Sequence, residues 1–303
     1  MDKIEELLTR GVANIIPSEE ELEKLISSKK KLNVYLGIDP TATKIHLGHA
    51  VPLRKLQRFS ELEHNVTFLI GDFTGMVGDP TGREKTREPL TREQVLENAK
   101  TYKDQAGRIL KFDGENPVKI KYNSEWLMKL SALESAKLMS LLTIQQILER
   151  DMFRERLKKD QEISMVEVMY PIMQGYDSVA MDVDVEVGGS DQLFNMMVGR
   201  TLMRKLKKKD KFVMTTPLLT DASGTKIGKT EGNTISLIDK PEVLFGKLMG
   251  LPDNVIGKGF EYLTNVPMDE VEKIYTKLSI EKNPIELKKR LAFEVVRELN
   301  NET

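Results

Sequence analysis

Apolar positions in the first 235 residues switch between two rhythms. The runs LNVYLGI (32–38) and NVTFLIGDF (65–73) are continuous, β-branched and aromatic, and end at Gly or Asp, as strands buried on both faces do. Between them GHAVPLRKLQRFSELE has helical spacing. Pro52 fits only a first turn, which predicts a helix starting near His49. Upstream, KIEELLTRGV and SEEELEKLISSK predict two short helices, the second capped by Ser18 with Glu21 at the capping-box position. Downstream come helical patterns at EQVLENAKTYKDQAGRILKF and SALESAKLMSLLTIQQILERDMFRERLKK, with a strand VKIKY (118–122) between them. MVEVMYPIMQGYDSVAM, the strand VDVEVGG (183–189), the helix SDQLFNMMVGRTLMRKL and the strand KFVMTTPLL follow. This alternation predicts an α/β fold with a mostly parallel, doubly wound sheet. From about Ser236 the pattern is helical only, which predicts a smaller all-helical C-terminal domain. There is no internal repeat of about 20–50 residues.

Composition narrows the chemistry. A 303-residue chain, 40% apolar and 31% charged, affords one large domain with a smaller companion. The absence of cysteine excludes disulfides, thiolate nucleophiles and thiol-bound zinc. No apolar run approaches the ~20 residues of a membrane span, and MDKIEELLTRG is charged and helix-patterned; no membrane role and a cytoplasmic location are expected. With 46 Lys and Arg against 47 Asp and Glu, any nucleic-acid partner must be met by local patches.

Five stretches carry candidate chemistry. In GIDPTATKIHLGH a strand, a tight turn and a helix start set exposed backbone N–H groups where a phosphate would bind, with His46 and His49 beside it. Imidazoles there can donate to charge developing on a phosphoryl group, and Gly48 leaves room for a flat group against the backbone. His64, in a polar helix-to-strand turn, reads as a surface histidine. SGTKIGKT (223–230) can bring two ammonium groups onto a polyphosphate, although a charged surface hairpin looks the same. GDPTGREKTREPLTRE (78–93) puts Asp79 after a strand end, where open α/β sheets bind ligands, and adds Arg83 and Arg87. KLKKKDK (205–211) reads as a solvated helix end. In YPIMQGYD, Tyr170, Gln174 and Asp177 share one helix face, so a small ligand with both an amine and a hydroxyl would satisfy all three. GGSDQ (188–192), glycines and then Asp191 after a strand, suits a ribose-binding turn.

Together HLGH and KIGKT resemble the two signature motifs of class I aminoacyl-tRNA synthetases. YLGIDPTATKIHLGH, GDPTG, YPIMQGYD and GGSDQ, in this order and spacing, resemble the tyrosyl-tRNA synthetase family from about residue 30 to 300. The resemblance implies a Rossmann-like catalytic domain over 31–235, preceded by N-terminal helices (1–30). It also implies a mainly helical insertion at about 90–165 and a helical anticodon-binding domain over 236–303. Members usually continue into an S4-type domain, expected to be absent here. The implied reaction joins L-tyrosine to ATP as tyrosyl-adenylate, then transfers tyrosine to tRNA(Tyr), in a homodimer using Mg2+ bound through the ATP phosphates and no metal held by the protein.

By resemblance, the catalytic group is Thr41, His46, His49, Lys226, Lys229, Thr230, Arg83 and Arg87. Tyr35 and Asp177 would meet the phenolic hydroxyl, with Gly37 beside them. Asp79, Tyr170 and Gln174 would surround the α-ammonium, and Gln192 the reacting carboxylate. Asp39, Gly48, Gly189, Asp191 and Lys229 would contact ATP. KIGKT carries Gly228 where the family consensus has Ser, which loosens that loop. Lys288, Lys289 and Arg290 are a candidate tRNA contact or a solvated helix face. The rivals are a tryptophan-activating relative, an RNA-binding paralogue without catalysis, and a nucleotidyltransferase of the same superfamily, which has no use for the Tyr170–Asp177 stripe.

Overall fold

The computed structural model describes residues 2–28, 30–81, 89–220, 224, 227, 234–281 and 283–300. Six strands form one sheet: β1 (Asn14–Ile16), β2 (Asn33–Ile38), β3 (Asn65–Ile70), β4 (Lys119–Tyr122), β5 (Val185–Gly189) and β6 (Phe212–Thr216). Their order is β1-β6-β5-β2-β3-β4, parallel throughout except β1 against β6. The central strands are buried, which is why their sequences are continuously apolar. Connections leave β2 toward β3 on one side and β5 lies on the other, so the sheet has its topological switch point between β2 and β5. Register pairs Tyr35 with Glu186 across that boundary.

The helix Leu47–Glu61 packs over β2, β3, β5 and β6, and Leu193–Lys207 packs on β5 and β6 and along Met165–Ala180. One apolar cluster runs from Leu7 through Leu36, Leu53 and Phe68 to Leu244, Phe260 and Leu291. A second joins Ile172 and Leu202 to Phe153. The described helices beyond Ser236, expected as a companion domain, therefore share the sheet's own core. Arg10 reinforces this: its guanidinium donates to the carbonyls of Phe260 (3.0 Å), Val266 (2.8 Å) and Thr264 (2.6 Å) at the end of the helix Ile256–Leu263. No helix among the described residues is long and apolar enough to cross a membrane.

Several expectations need correction. The helix after β2 starts at Leu47, because His46 caps it, and Pro52 sits beyond the first turn. The 90–165 segment contains β4, an edge strand of the main sheet, so it is not wholly an insertion. The helical patterns at 93–112 and 131–159 break into separate short helices. Strand β1 was not predicted at all. Lys211, read as part of a solvated helix end, is fully buried.

His64 is also buried, accepting from the Leu32 N–H at 3.4 Å through Nδ1. Burial lowers its pKa from the ordinary 6.5 by disfavouring the charged ring. The sign follows: above 6.5 neither folded nor unfolded chain binds this proton, and below it the unfolded chain binds first. Stability is therefore lost as pH falls below 6.5 toward the folded-state value. We expect urea midpoints of the wild type to drop between pH 7.5 and 5.5 by more than those of His64→Gln; equal drops would exclude His64 as the cause.

Candidate active site

A cavity of about 230 Å3 opens at the carboxyl ends of β2 and β5. This is where open α/β sheets place their ligands. It brings together nearly every described residue singled out from sequence: Tyr35, Gly37, Asp39, Thr41, His46, Gly48, His49, Asp79, Tyr170, Gln174, Asp177, Gly189, Asp191 and Gln192 all line it. Arg83, Arg87, Lys226, Gly228, Lys229 and Thr230 lie outside the described residues.

At one end stand the two histidines. His46 is the N-cap of Leu47–Glu61: its Nδ1 accepts from the Gly48 N–H at 3.1 Å. His49 Nδ1 accepts from the His46 N–H at 3.3 Å, and the rings stack with centroids 3.8 Å apart. A neutral imidazole that accepts at Nδ1 carries its proton on Nε2, so both rings are set as Nε2–H donors. Gly48 makes the stack possible, since a Cβ there would stand 3.0 Å from His46 Cε1. A short antiparallel ladder runs alongside: Leu47 N–H donates to Ile235 at 2.8 Å and Leu237 N–H to Ile45 at 3.1 Å. On the other flank Ile227, within the KIGKT stretch, donates to Leu219 and lines the cavity.

The other end is a buried polar pocket. Asp177 is 2% exposed; its carboxylate accepts from Trp126 Nε1 at 2.8 Å and Asn123 Nδ2 at 3.3 Å. Burial pushes its pKa well up, and the two donors pull against that. Tyr35 is fully enclosed, its hydroxyl 3.3 Å from Ser178 Oγ, and burial together with the Glu186 and Asp177 charges raises its phenol. Between the two ends, Tyr170 donates to Asp39 at 2.9 Å, and Thr74 to the other Asp39 oxygen at 2.7 Å. Burial and the Asp39 charge raise the Tyr170 phenol. Gln192 donates to Asp79 at 2.7 Å, whose second oxygen accepts from Thr81. The side chain of Arg150 holds Thr81 from behind at 2.7 Å.

Sequence reasoning missed Asn123, Trp126, Ser178, Glu186 and Lys211. Glu186 left a signal: VDVEVGG places it two residues before a cavity glycine, on a face where a buried acid must find a partner. Its partner is Lys211. Burial lowers the Lys211 pKa, and the Glu186 carboxylate against it acts in the opposite sense.

A deep pocket with a buried carboxylate and phenol, joined to a corner of N–H donors at a switch point, defines an α/β enzyme that unites a small polar molecule with a nucleotide. Residues 27–303 match tRNA synthetases class I (W and Y), and the chain belongs to that family. A tyrosine–tRNA ligase of Photobacterium profundum is 45% identical over 306 residues, covering 100% of this chain and 76% of that one. One from Carboxydothermus hydrogenoformans is 44% identical, covering 98% and 72%. A C-terminally truncated mitochondrial tyrosyl-tRNA synthetase of Aspergillus nidulans superposes with TM-score 0.83 at 25% identity, covering 98% and 89%. The Archaeoglobus fulgidus tyrosyl-tRNA synthetase, solved with L-tyrosine, shares the fold at TM-score 0.78 and 24% identity, covering 99% and 98%.

Proposed function

We propose that this chain activates L-tyrosine with ATP and passes it to tRNA(Tyr). The observation that carries the reading is one cavity with two chemically opposite ends, a buried phenol and carboxylate at the first and paired Nε2–H imidazoles at the second. Tyrosine enters ring first, its hydroxyl toward Tyr35 and Asp177. Its ammonium meets Asp79, Tyr170 and Gln174, which leaves the carboxylate near Gln192. A carboxylate oxygen then attacks the α-phosphorus of ATP as the bond to pyrophosphate breaks. His46, His49 and Thr41 stabilise charge gathering on phosphate oxygens, which is useful because these contacts strengthen in the transition state. Asp39, Gly48, Gly189 and Asp191 line the nucleotide side. Arg83, Arg87, Lys226, Lys229 and Thr230 complete the phosphate contacts in this reading.

In this reading Mg2+ is carried by ATP phosphates and water, as suits an ion that dehydrates reluctantly. A homodimer is supported by apolar side chains left exposed on the 124–166 segment, Leu133 at 65% and Met165 at 69% among them. The helices beyond Ser236 would take the anticodon arm, in a cytoplasmic setting. Lys289 and Arg290 pair with Glu286 and Glu270 at the surface, and the largely covered Lys288 pairs with Asp253, so their charges are met within the protein, which weighs against a tRNA contact there.

The deciding experiment is ATP–pyrophosphate exchange with each amino acid in turn. Tyrosine alone should drive it, at least about 100-fold above phenylalanine or tryptophan, because each leaves buried polar groups unpaired. Exchange driven by tryptophan would move the chain to the other branch of its family, and none at all would favour the non-catalytic paralogue.

A further inference from the structure

Beneath the cavity, the Lys211 ammonium touches Glu186 Oε2 and lies 2.9 Å from Ser178 Oγ. Gly199 makes room for it, since a Cβ there would stand 2.5 Å from Lys211 Nζ. Glu186 uses its other oxygen to accept from Gln174 Nε2 at 3.2 Å. Gln174 lines the cavity, and its Oε1 is buried with no protein partner among the described residues. A carboxylate only accepts. An amide that commits its NH2 to a carboxylate has an acceptor left for whatever fills the cavity. A neutral amide at position 186 imposes no such choice, because it can donate as well as accept.

We propose that the buried Lys211–Glu186 pair is a positioning device: it turns Gln174 so that the carbonyl oxygen, and not the NH2, meets the ammonium of the bound amino acid. This rests on the reading of Gln174 given above. Lys211 supplies the countercharge that lets an acid sit on a central strand, and Glu186 converts that charge into an orientation. Glu186 lines the cavity beside Gln174, and Lys211 lies beneath it.

The test compares binding of L-tyrosine with that of 3-(4-hydroxyphenyl)propanoate, which is tyrosine without its amine. The proteins are the wild type, Glu186→Gln, and the double variant Glu186→Gln/Lys211→Met, in which both buried charges are removed together so that none is stranded. Wild type should prefer tyrosine. In both variants tyrosine affinity should fall about tenfold while propanoate affinity holds, the size of one lost contact to a charged group. In exchange assays KM for tyrosine should rise with kcat within about twofold. Equal weakening of both ligands would make the pair a mere prop for the pocket and overturn the proposal, and so would an undiminished preference for tyrosine. A wild type with no preference for the amine would instead sink the reading of Gln174 itself.

Discussion

His46→Ala should lower kcat for tyrosyl-adenylate formation by about 10²–10³, the usual cost of deleting one donor to developing transition-state charge, with KM for tyrosine within about twofold. The geometry supplies the reason. The Gly48 N–H occupies His46 Nδ1 and so commits the ring to an Nε2–H donor, and the backbone N–H of His46 does the same for His49. The substitution also removes the helix cap, worth about 1 kcal/mol, so the melting temperature must be read beside the rate. His46→Asn separates the two effects: it keeps a cap and a donor, and its rate should fall between those of wild type and alanine. An unchanged kcat in His46→Ala would refute the assignment.

Asp177→Ala should weaken tyrosine binding by about 100-fold or more and flatten the preference for tyrosine over phenylalanine. The loss has two parts. The ligand hydroxyl forfeits an acceptor, and the indole N–H of Trp126 and the amide of Asn123 lose theirs in a buried place, each such orphan costing about 1–3 kcal/mol. Phenylalanine offers no hydroxyl to the intact pocket, so its own affinity should change far less. Asp177→Asn, of the same shape, keeps one acceptor and should fall in between. Competition binding with both amino acids provides the readout, and tyrosine affinity left intact in Asp177→Ala would move the phenol site elsewhere.

The parallel strands were legible because burial on both faces forces continuous apolar runs, and the Tyr170–Asp177 stripe because a helix repeats its face every three to four residues. Strand β1 was not. Three residues carry little pattern, and what makes Asn14–Ile16 a strand is pairing with Val213, Met214 and Thr215 some 200 positions away. Lys211 misled for a related reason: next to Lys207, Lys208 and Lys209 it looks like one more solvated cation. Only the β5–β6 register, which sets Glu186 beside Val213, reveals its partner. His64 misled because a polar turn in sequence says nothing about what folds over it. The site's outline could be read because its residues cluster in short motifs. Its supporting groups could not, since Asn123, Trp126 and Ser178 take their meaning from other elements.

The ladder between Ile45–Leu47 and Ile235–Leu237 joins segments about 190 positions apart, a closure whose entropic cost grows only slowly with length. It also makes the two ends of the cavity differ in how far along the chain they reach: the described side chains of the amino-acid end all lie at or before Lys211, whereas the corner destined for phosphate is braced by Ile235.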